Sequence, residues 1–590
     1  MTNYQLLETT YKEIFSTLHK KCNRLSTLRL LLAVGFLVCS YYALNAHAHV
    51  YQVGAVALAA AFVIVMRYHQ KLSWLRLLNQ TLADINTDEI AYQQHQKLPL
   101  GDGSEYNNTG HPYAFDLDIL GKHSLYQHLN RTATYIGGKK LADLLLFLRT
   151  NNDINRNQAA ITELSGLLDW RQKLLALAKI TQDNQSVYQK LLRWASAKNT
   201  QSSRFIRMVS YASPMVLMLV LLLAWWTDEA IYLKISTGLF FFHLFITATQ
   251  LRQIKQEIVE SEKIHEVLRH YGLMLHEIEN QPFRCDRLHE LQAKLTNENG
   301  RASTKINQLS ALFSNLAGIQ NPMGALLSNG FLLAHTHTLR SLLDWKEAHA
   351  TQLVQWLDII GTFEALGSLA NFAHNNPEFT YPTLNTEYLI SFTELGHPLI
   401  AATHRVCNNI SFDKANITIL TGSNMSGKST FLRTLGINMV LTGAGAPICA
   451  TQANVHPLDI LVSMRLSDSL ADNESYFFAE VKRLKQIMDT LQSKVCFVLL
   501  DEILRGTNSD DKRNGTIEVI KKLVAKHAIG AVATHDIEVC KTTDEFPDKL
   551  SNRCFEVEII NNDLAFDYRL RNGVCKNRSA TFLMKKMNVI

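Results

Sequence analysis

Residues 417–430 read Ile-Thr-Ile-Leu-Thr-Gly-Ser-Asn-Met-Ser-Gly-Lys-Ser-Thr. An apolar, β-branched run predicts a buried strand over Ile417–Thr421, and the spacing G-x-x-x-x-G-K-[ST] predicts a tight loop and a helix starting near Lys428. The two glycines let backbone N–H groups turn inward around phosphate oxygens, and the helix N-terminus adds partial positive charge. Gly422, Ser423, Asn424, Met425, Ser426, Gly427, Lys428, Ser429 and Thr430 are therefore candidate nucleotide-binding residues. In such a loop the lysine reaches the β- and γ-phosphates of ATP and the Ser429 hydroxyl ligates Mg²⁺.

Two further strand ends fit the same site. Val495–Leu500 is continuously apolar, as a strand buried on both faces must be, and it ends in Asp501-Glu502. Asp501 is placed to complete the Mg²⁺ shell with Ser429, and Glu502 to polarise the attacking water. "AIGAVATHD" over 528–536 predicts a third core strand ending at His535, in reach of the γ-phosphate. An acidic pair or a histidine alone is more often structural; three consecutive core strands ending in chemistry-bearing residues favour a catalytic reading.

Working outward, the chain has 590 residues, room for three or four domains. Charged residues are 19% and hydrophobic ones 47%, which excludes bulk disorder. A net charge of +6 neither requires nor excludes nucleic acid, and Lys and Arg alternate with Glu along helical stretches as on solvated faces. Nine cysteines lie without a CxxC pair, the pattern of reduced thiols with no disulfide frame and no structural zinc. His335-Thr-His337 has no Cys or carboxylate neighbours and reads as core or surface, not as a metal site.

Four apolar runs, about 28–44, 50–68, 209–226 and 231–249, each approach the ~20 residues a transmembrane helix needs. Lys20, Lys21, Arg24 and Arg29 flank the first, and Arg67, Lys71 and Arg76 follow the second. Arg204 and Arg207 precede the third, while Arg252 and Lys255 follow the fourth. The connectors "NAHAH" and "TDEA" carry no Lys or Arg, so both hairpins predict outside tips and a cytosolic remainder. Ala46-His47-Ala48 imitates a signal-peptidase site, but the long charged stretch before the first run marks an anchor. Four buried core helices are the alternative, best for the fourth run, where Lys234 would snorkel.

Together, "TGSNMSGKST", "LLDEILRGTNSDD" and "ATHD" resemble the ATPase domain of the MutS mismatch-repair family. "RLSDSLADNESYFFAEVKRLK" is similar to that family's signature segment, with Ser475, Phe477 and Glu480 at its Ser, Phe and Glu. The resemblance implies that Ser475 reaches the γ-phosphate held by a partner subunit, and so a homodimer with two shared sites. "SLYQHLNRTATYIGGKKLADLLL", "INRNQAAITEL", "ELGHPLI" and "GVCKNRSATFLMKKMNV" extend the likeness over roughly 110–205 and 250–590. Leu504 stands where Gly is usual, Asn508 where Ser is, and Asn473-Glu474 where Gly-Arg is common. The mismatch-reading domain has no counterpart, and Phe392-Thr-Glu394 matches its Phe-x-Glu only by coincidence.

The predicted fold is a C-terminal α/β P-loop (ABC-type) ATPase domain, 386–590, preceded by an all-α core and lever domain, 101–385. The lever carries the second transmembrane hairpin, and 1–100 holds an N-terminal helix, the first hairpin and a linker. Amphipathic spacing predicts long lever helices over 160–205 and 250–280, ending in a bilayer where relatives grip DNA. The leading expectation is a membrane-anchored, dimeric MutS-like ATPase of the cytoplasmic membrane, multi-pass, using ATP and Mg²⁺, with DNA an open partner. The alternatives are ordinary mismatch or branched-DNA repair with incidental anchoring, an ABC-type half-transporter, and a membrane scaffold with a slow ATPase. The chain has no LSGGQ-type signature, and only a short stretch separates Lys428 from Asp501, both against the transporter.

Overall fold

The computed structural model describes residues 3–46, 49–96, 100–108, 110–198, 204–257, 264–298, 300–413, 416–465, 476–560 and 563–575. Helices α1 (Asn3–Ala46) and α2 (His49–Gln93) form an antiparallel hairpin in which each helix is about 66 Å long. Its outer half exposes Leu30, Leu31, Leu37, Val53, Val56 and Ile64 to the surroundings. Its inner half is docked: Leu82 and Ile85 pack on Ala176, and Asn86 exchanges side-chain hydrogen bonds of 3.0 and 2.9 Å with Gln172. Buried Glu89 accepts from Arg131, at 2.5 and 3.1 Å, and from Asn371 at 3.1 Å. A buried carboxylate is tolerable only with such a full set of donors, and the Arg131 charge and hydrogen bonds hold its pKa below the usual carboxylate range against the opposing effect of burial.

A helical region follows: α3 (Tyr135–Leu146), α4 (Asn151–Ser165), α5 (Leu168–Thr181) and α6 (Gln185–Ser196). The expected long helix over 160–205 is thus corrected to shorter pieces. Gly166 ends α4, Gln182 turns left-handed with φ 51°, and the Asn184 side chain caps α6 by accepting from Val187 N. A second apolar hairpin, α7 (Arg204–Thr227) and α8 (Ala230–Glu257), leads to α9 (Ile264–Asn280), α10 (Ala302–Ala317), α11 (Pro322–Leu332) and the 42-residue α12 (Ala334–Asn375). Among the described residues four helices, α1, α2, α7 and α8, are long and apolar enough to cross a membrane, with mean hydropathies of 1.7, 1.9, 2.0 and 1.5.

Helix α12 ties this region together. Its buried Glu364 accepts from Ala133 N at 2.9 Å and Thr134 N at 3.2 Å, occupying the open N-terminus of α3. The two helices come that close because Gly137 has no side chain; a Cβ there would lie 2.5 Å from the Glu364 carboxylate.

The C-terminal part is α/β. In chain order come β1 (Thr383–Leu384), β2 (Ile390–Leu395), β3 (Asn408–Ser411), β4 (Ile417–Gly422) and α13 (Lys428–Ala444). After them run β5 (Gln452–Val455), β6 (Asp459–Ser463), α14 (Tyr476–Thr490), β7 (Cys496–Asp501), α15 (Ser509–Ala525) and β8 (Ile529–Ala533). The antiparallel pair β9 (Leu550–Ile560) and β10 (Asp563–Asn572) comes last. One sheet has the order β1-β5-β2-β3 and the other β10-β9-β4-β8-β7-β6.

In the six-stranded sheet β9, β4, β8, β7 and β6 are mutually parallel. Its strands read as unbroken apolar runs because both faces are covered: Leu420, Phe497 and Leu499 join one core cluster, Ile419, Val498 and Leu500 the other. Ala533 pairs with both Leu420 and Asp501, so β4, β7 and β8 end at one edge. That common edge places the site.

Candidate nucleotide site

The loop leaving β4 is shaped by glycine at both ends. Gly427 has φ +103°, a left-handed conformation that strains other residues, and it caps α13. A Cβ on Gly422 would lie 2.5 Å from Ser426 Oγ and 3.0 Å from the Phe555 carbonyl oxygen. The Lys428 ammonium folds back and donates to the carbonyl oxygens of Gly422 at 2.9 Å and Ser423 at 3.0 Å. Burial pushes its pKa down, and the carboxylates of Glu502 and Asp501 oppose that shift. The buried hydroxyl oxygens of Ser423 and Ser426 have no hydrogen-bond partner. A loop with a buried ammonium, two unused hydroxyls and a helix N-terminus is chemically complete for an anion.

At the mouth of the loop Ser429 Oγ donates to Asp501 Oδ2 at 2.5 Å, while the buried Asp501 Oδ1 is unpartnered. Two hard oxygens in contact, one carrying a spare buried lone pair, suit Mg²⁺, which takes few protein ligands and completes its shell with water and phosphate oxygens. The residues present therefore fit the metal expected for them.

Glu502 sits beside this pair in a left-handed turn, φ 50°, and its N–H donates to the Ala533 carbonyl at 3.0 Å, joining the ends of β7 and β8. Its side chain contacts His535 Nε2, and Arg505 Nε lies 3.6 Å away. The His535 hydrogen bond, followed by its charge and those of Arg505 and Lys428, holds the Glu502 carboxyl at about 2 despite partial burial. Glu502 is thus an ionised acceptor at neutral pH, aimed by His535. Beside the loop a cavity of about 390 Å³ is lined by Ile400, His404, Val406, Asn408, Met425 and Tyr568. His397 also lines it, and burial, with Arg433 and Arg405 nearby, lowers its pKa to about 4, leaving it neutral.

The structure brings Gly422–Thr430, Asp501, Glu502 and His535 together. Ser475 and Asn473-Glu474 lie outside the described residues. Glu480 has a place that its sequence match did not reveal: buried on α14, it accepts from Leu504 N at 2.6 Å and Arg505 N at 3.0 Å. It thereby clamps the turn that follows Glu502.

Leu504, where glycine is usual, keeps the glycine-like conformation, φ 62°, and is buried. Its side chain fills the space over Gly515 of α15, where a Cβ would come 2.4 Å from Leu504 Cδ1. Asn508 replaces serine without loss, since its Oδ1 accepts from Asp511 N at 2.8 Å and caps α15. Phe392 is buried on β2, as a coincidental Phe-x-Glu requires. His335 contacts Asn329 and His337 contacts the Ser210 carbonyl, both packing roles.

These features define an α/β domain in which three parallel strands end beside one glycine-bounded loop. Residues 418–588 match the family model of MutS domain V. The DNA mismatch repair protein MutS of Haloquadratum walsbyi is 32% identical over 200 residues, 32% of this chain and 21% of the relative. That of Finegoldia magna is 31% identical over 226 residues, covering 37% and 26%. The human MutS protein homolog 4 is 26% identical over 256 residues, covering 42% and 25%. The chain therefore spans about a quarter of the length of these relatives. Over residues 418–588 the chain is thus similar to domain V of MutS proteins, a family whose members are ATPases.

Proposed function

We propose that the protein is a membrane-anchored, dimeric ATPase of MutS type, with its P-loop domain over 386–590 on the cytosolic side of the cytoplasmic membrane. The observation that carries the ATPase reading is the contact of Ser429 with Asp501 directly beside the Glu502–His535 pair. Gly422–Thr430 hold the phosphates, and Ser429 and Asp501 hold Mg²⁺, which screens phosphate charge when bound. Lys428 exchanges the Gly422 and Ser423 carbonyls for phosphate oxygens. Glu502 accepts a hydrogen bond from the attacking water, whose oxygen bonds to the γ-phosphorus as the bond to the ADP oxygen breaks. His535 positions Glu502.

Ser475 completes the site of a second copy, with α14 as the carrier of that signal. Two hairpins, about 28–44 with 50–68 and 209–226 with 231–249, cross the bilayer from a helical core and lever domain, 101–385. The lever moves the second hairpin. The charge pattern of the flanks supports the cytosolic placement. Mismatched DNA is the ligand class that the relatives' names suggest, with branched DNA as a second candidate.

The test is ATP turnover by the purified protein in nanodiscs, alone and with homoduplex, mismatched and branched DNA. Glu502→Gln is expected to bind ATP with turnover abolished. Turnover indifferent to every DNA removes the DNA part of the reading, and turnover unaffected by Glu502→Gln removes the catalytic assignment.

A further inference from the structure

From Ile306 to Leu339 the chain contains no Asp, Glu, Lys or Arg, although such residues are 19% of the whole. The middle of this stretch is α11, eleven residues with Asn321 capping its start and Pro322 in its first turn. At about 16 Å it is half the length needed to cross a ~30 Å hydrocarbon core, which is why composition alone does not mark it as a span.

Helix α11 lies against the second apolar hairpin. The Phe240 ring of α8 occupies the place of a Cβ on Gly330, and Phe331 meets Phe240 edge-on with centroids 5.2 Å apart. His243 of α8 bridges the elements, with Nδ1 2.8 Å from the Gly330 carbonyl oxygen and Nε2 2.6 Å from Ser213 Oγ of α7. Leu332 merges with Met215, Met218, Leu219 and Leu222 of α7 into one open apolar patch. The packing is confined to the C-terminal end of α11, and the first two turns are bare: Met323 is 71% exposed, Leu327 51% and Leu326 45%.

The backbone at its deep end is satisfied from within the protein. Leu333, left-handed at φ 49°, is the sole residue between α11 and α12, and its N–H donates to Asn329 O at 3.0 Å. The buried Asn329 side chain accepts from His335 N at 3.0 Å, capping α12. Irregular backbone is tolerated at membrane depth only when its polar groups are paired in this way.

We infer that α11 is a half-membrane helix, inserted into the cytosol-side leaflet beside α7 and α8, with lipid acyl chains covering Met323, Leu326 and Leu327. The inference rests on the membrane reading proposed above. Its support is the continuity of these bare apolar turns with the apolar surface of the hairpin, the absence of Asp, Glu, Lys and Arg from 306 to 339, and the internally paired turn at Leu333.

The test uses the full chain in nanodiscs with Cys39, Cys285 and Cys407 replaced by serine. Nitroxides are attached singly after Met323→Cys and Leu327→Cys, with Leu222→Cys on α7 and Glu347→Cys on α12 as references, each variant being checked for retained ATP turnover. Oxygen collisions exceeding those of a soluble nickel chelate at 323 and 327, as at 222 and opposite to 347, are the expected result. Nickel access at 323 and 327 with lipid exposure at 222 overturns the inference and leaves the membrane reading standing. Nickel access at 222 as well overturns both. Exclusion of both probes at 323 and 327 places a second protein copy there and overturns the lipid assignment.

Discussion

Leu504 offers a stability test whose sign depends on backbone conformation. It is buried among Ile503, Ile520 and Leu523 while holding φ 62°. Truncation to alanine removes the packing, a loss of about 2–5 kcal/mol for a buried leucine, and keeps the left-handed strain. Truncation to glycine removes the same packing and also the strain, about 1–2 kcal/mol for a side chain held in that region. Against this stands the greater freedom of glycine in the unfolded chain, about 0.5–1 kcal/mol. Glycine is therefore expected to be the more stable of the two variants by roughly 0.5–1 kcal/mol, the reverse of the ordinary order. At about 2–4 °C per kcal/mol for a unit of 150–250 residues, Leu504→Gly melts about 1–4 °C above Leu504→Ala, and both melt below the parent. Differential scanning fluorimetry in detergent reads this directly. Alanine melting above glycine would refute the left-handed assignment. Gly515→Ala supplies the cross-check, because its cost, a clash with Leu504 Cδ1, disappears in either Leu504 variant.

Three further outcomes are expected. Glu480→Ala leaves the Leu504 and Arg505 N–H groups unpaired, at about 1–3 kcal/mol for each one that stays buried, and lowers ATP turnover more than ATP affinity, measured by steady-state kinetics and nucleotide titration. Burial raises the Glu364 carboxyl from its ordinary 4.5 to about 7, so the folded state keeps a proton that the unfolded chain releases, and the parent loses stability as pH rises between those values. Glu364→Gln lacks this loss, and its melting temperature gains on the parent from pH 5 to pH 8; parallel curves would remove the argument. The Glu502 carboxyl, held at about 2 chiefly by His535, contributes stability above its ordinary 4.5 that is lost as pH falls toward 2. His535→Ala releases the carboxyl, and the acid limb of the turnover profile moves to higher pH.

The parts legible in the sequence were those where chemistry forces residue types at set spacings. A loop that turns its backbone inward needs glycine, and Gly422 and Gly427 foretell the tight turn between β4 and α13. Long apolar runs likewise declare α1, α2, α7 and α8 by composition. What escaped depends on conformation or on distant contact. Nothing about a leucine signals φ 62°, so Leu504 read as a departure when it is a glycine-like turn filled by a side chain. Glu480 reaches backbone amides 24 residues away, a pairing no local pattern encodes. Helix α11 is too short to register as a span, and only its setting beside α8 distinguishes it from a turn of core helix.

Helix α12 meets both hairpins, and this sets a geometric condition on their motion. Its head touches α7, where His337 Nε2 lies 2.9 Å from the Ser210 carbonyl oxygen. Its foot holds the base of the first hairpin, where Asn371 and Asn375 donate to Glu89 and Tyr4 donates to Asn375. From His337 to Asn371 the helix rises about 51 Å, whereas α1 rises about 36 Å from Tyr4 to the start of its apolar run at Leu28. Under the membrane reading proposed above, two hairpins that enter one bilayer reconcile these lengths only if α12 is inclined to α1. In that reading a 10° rotation at the foot of α12 would carry its head about 9 Å, so a small turn at the base of the first hairpin becomes sideways travel of the second.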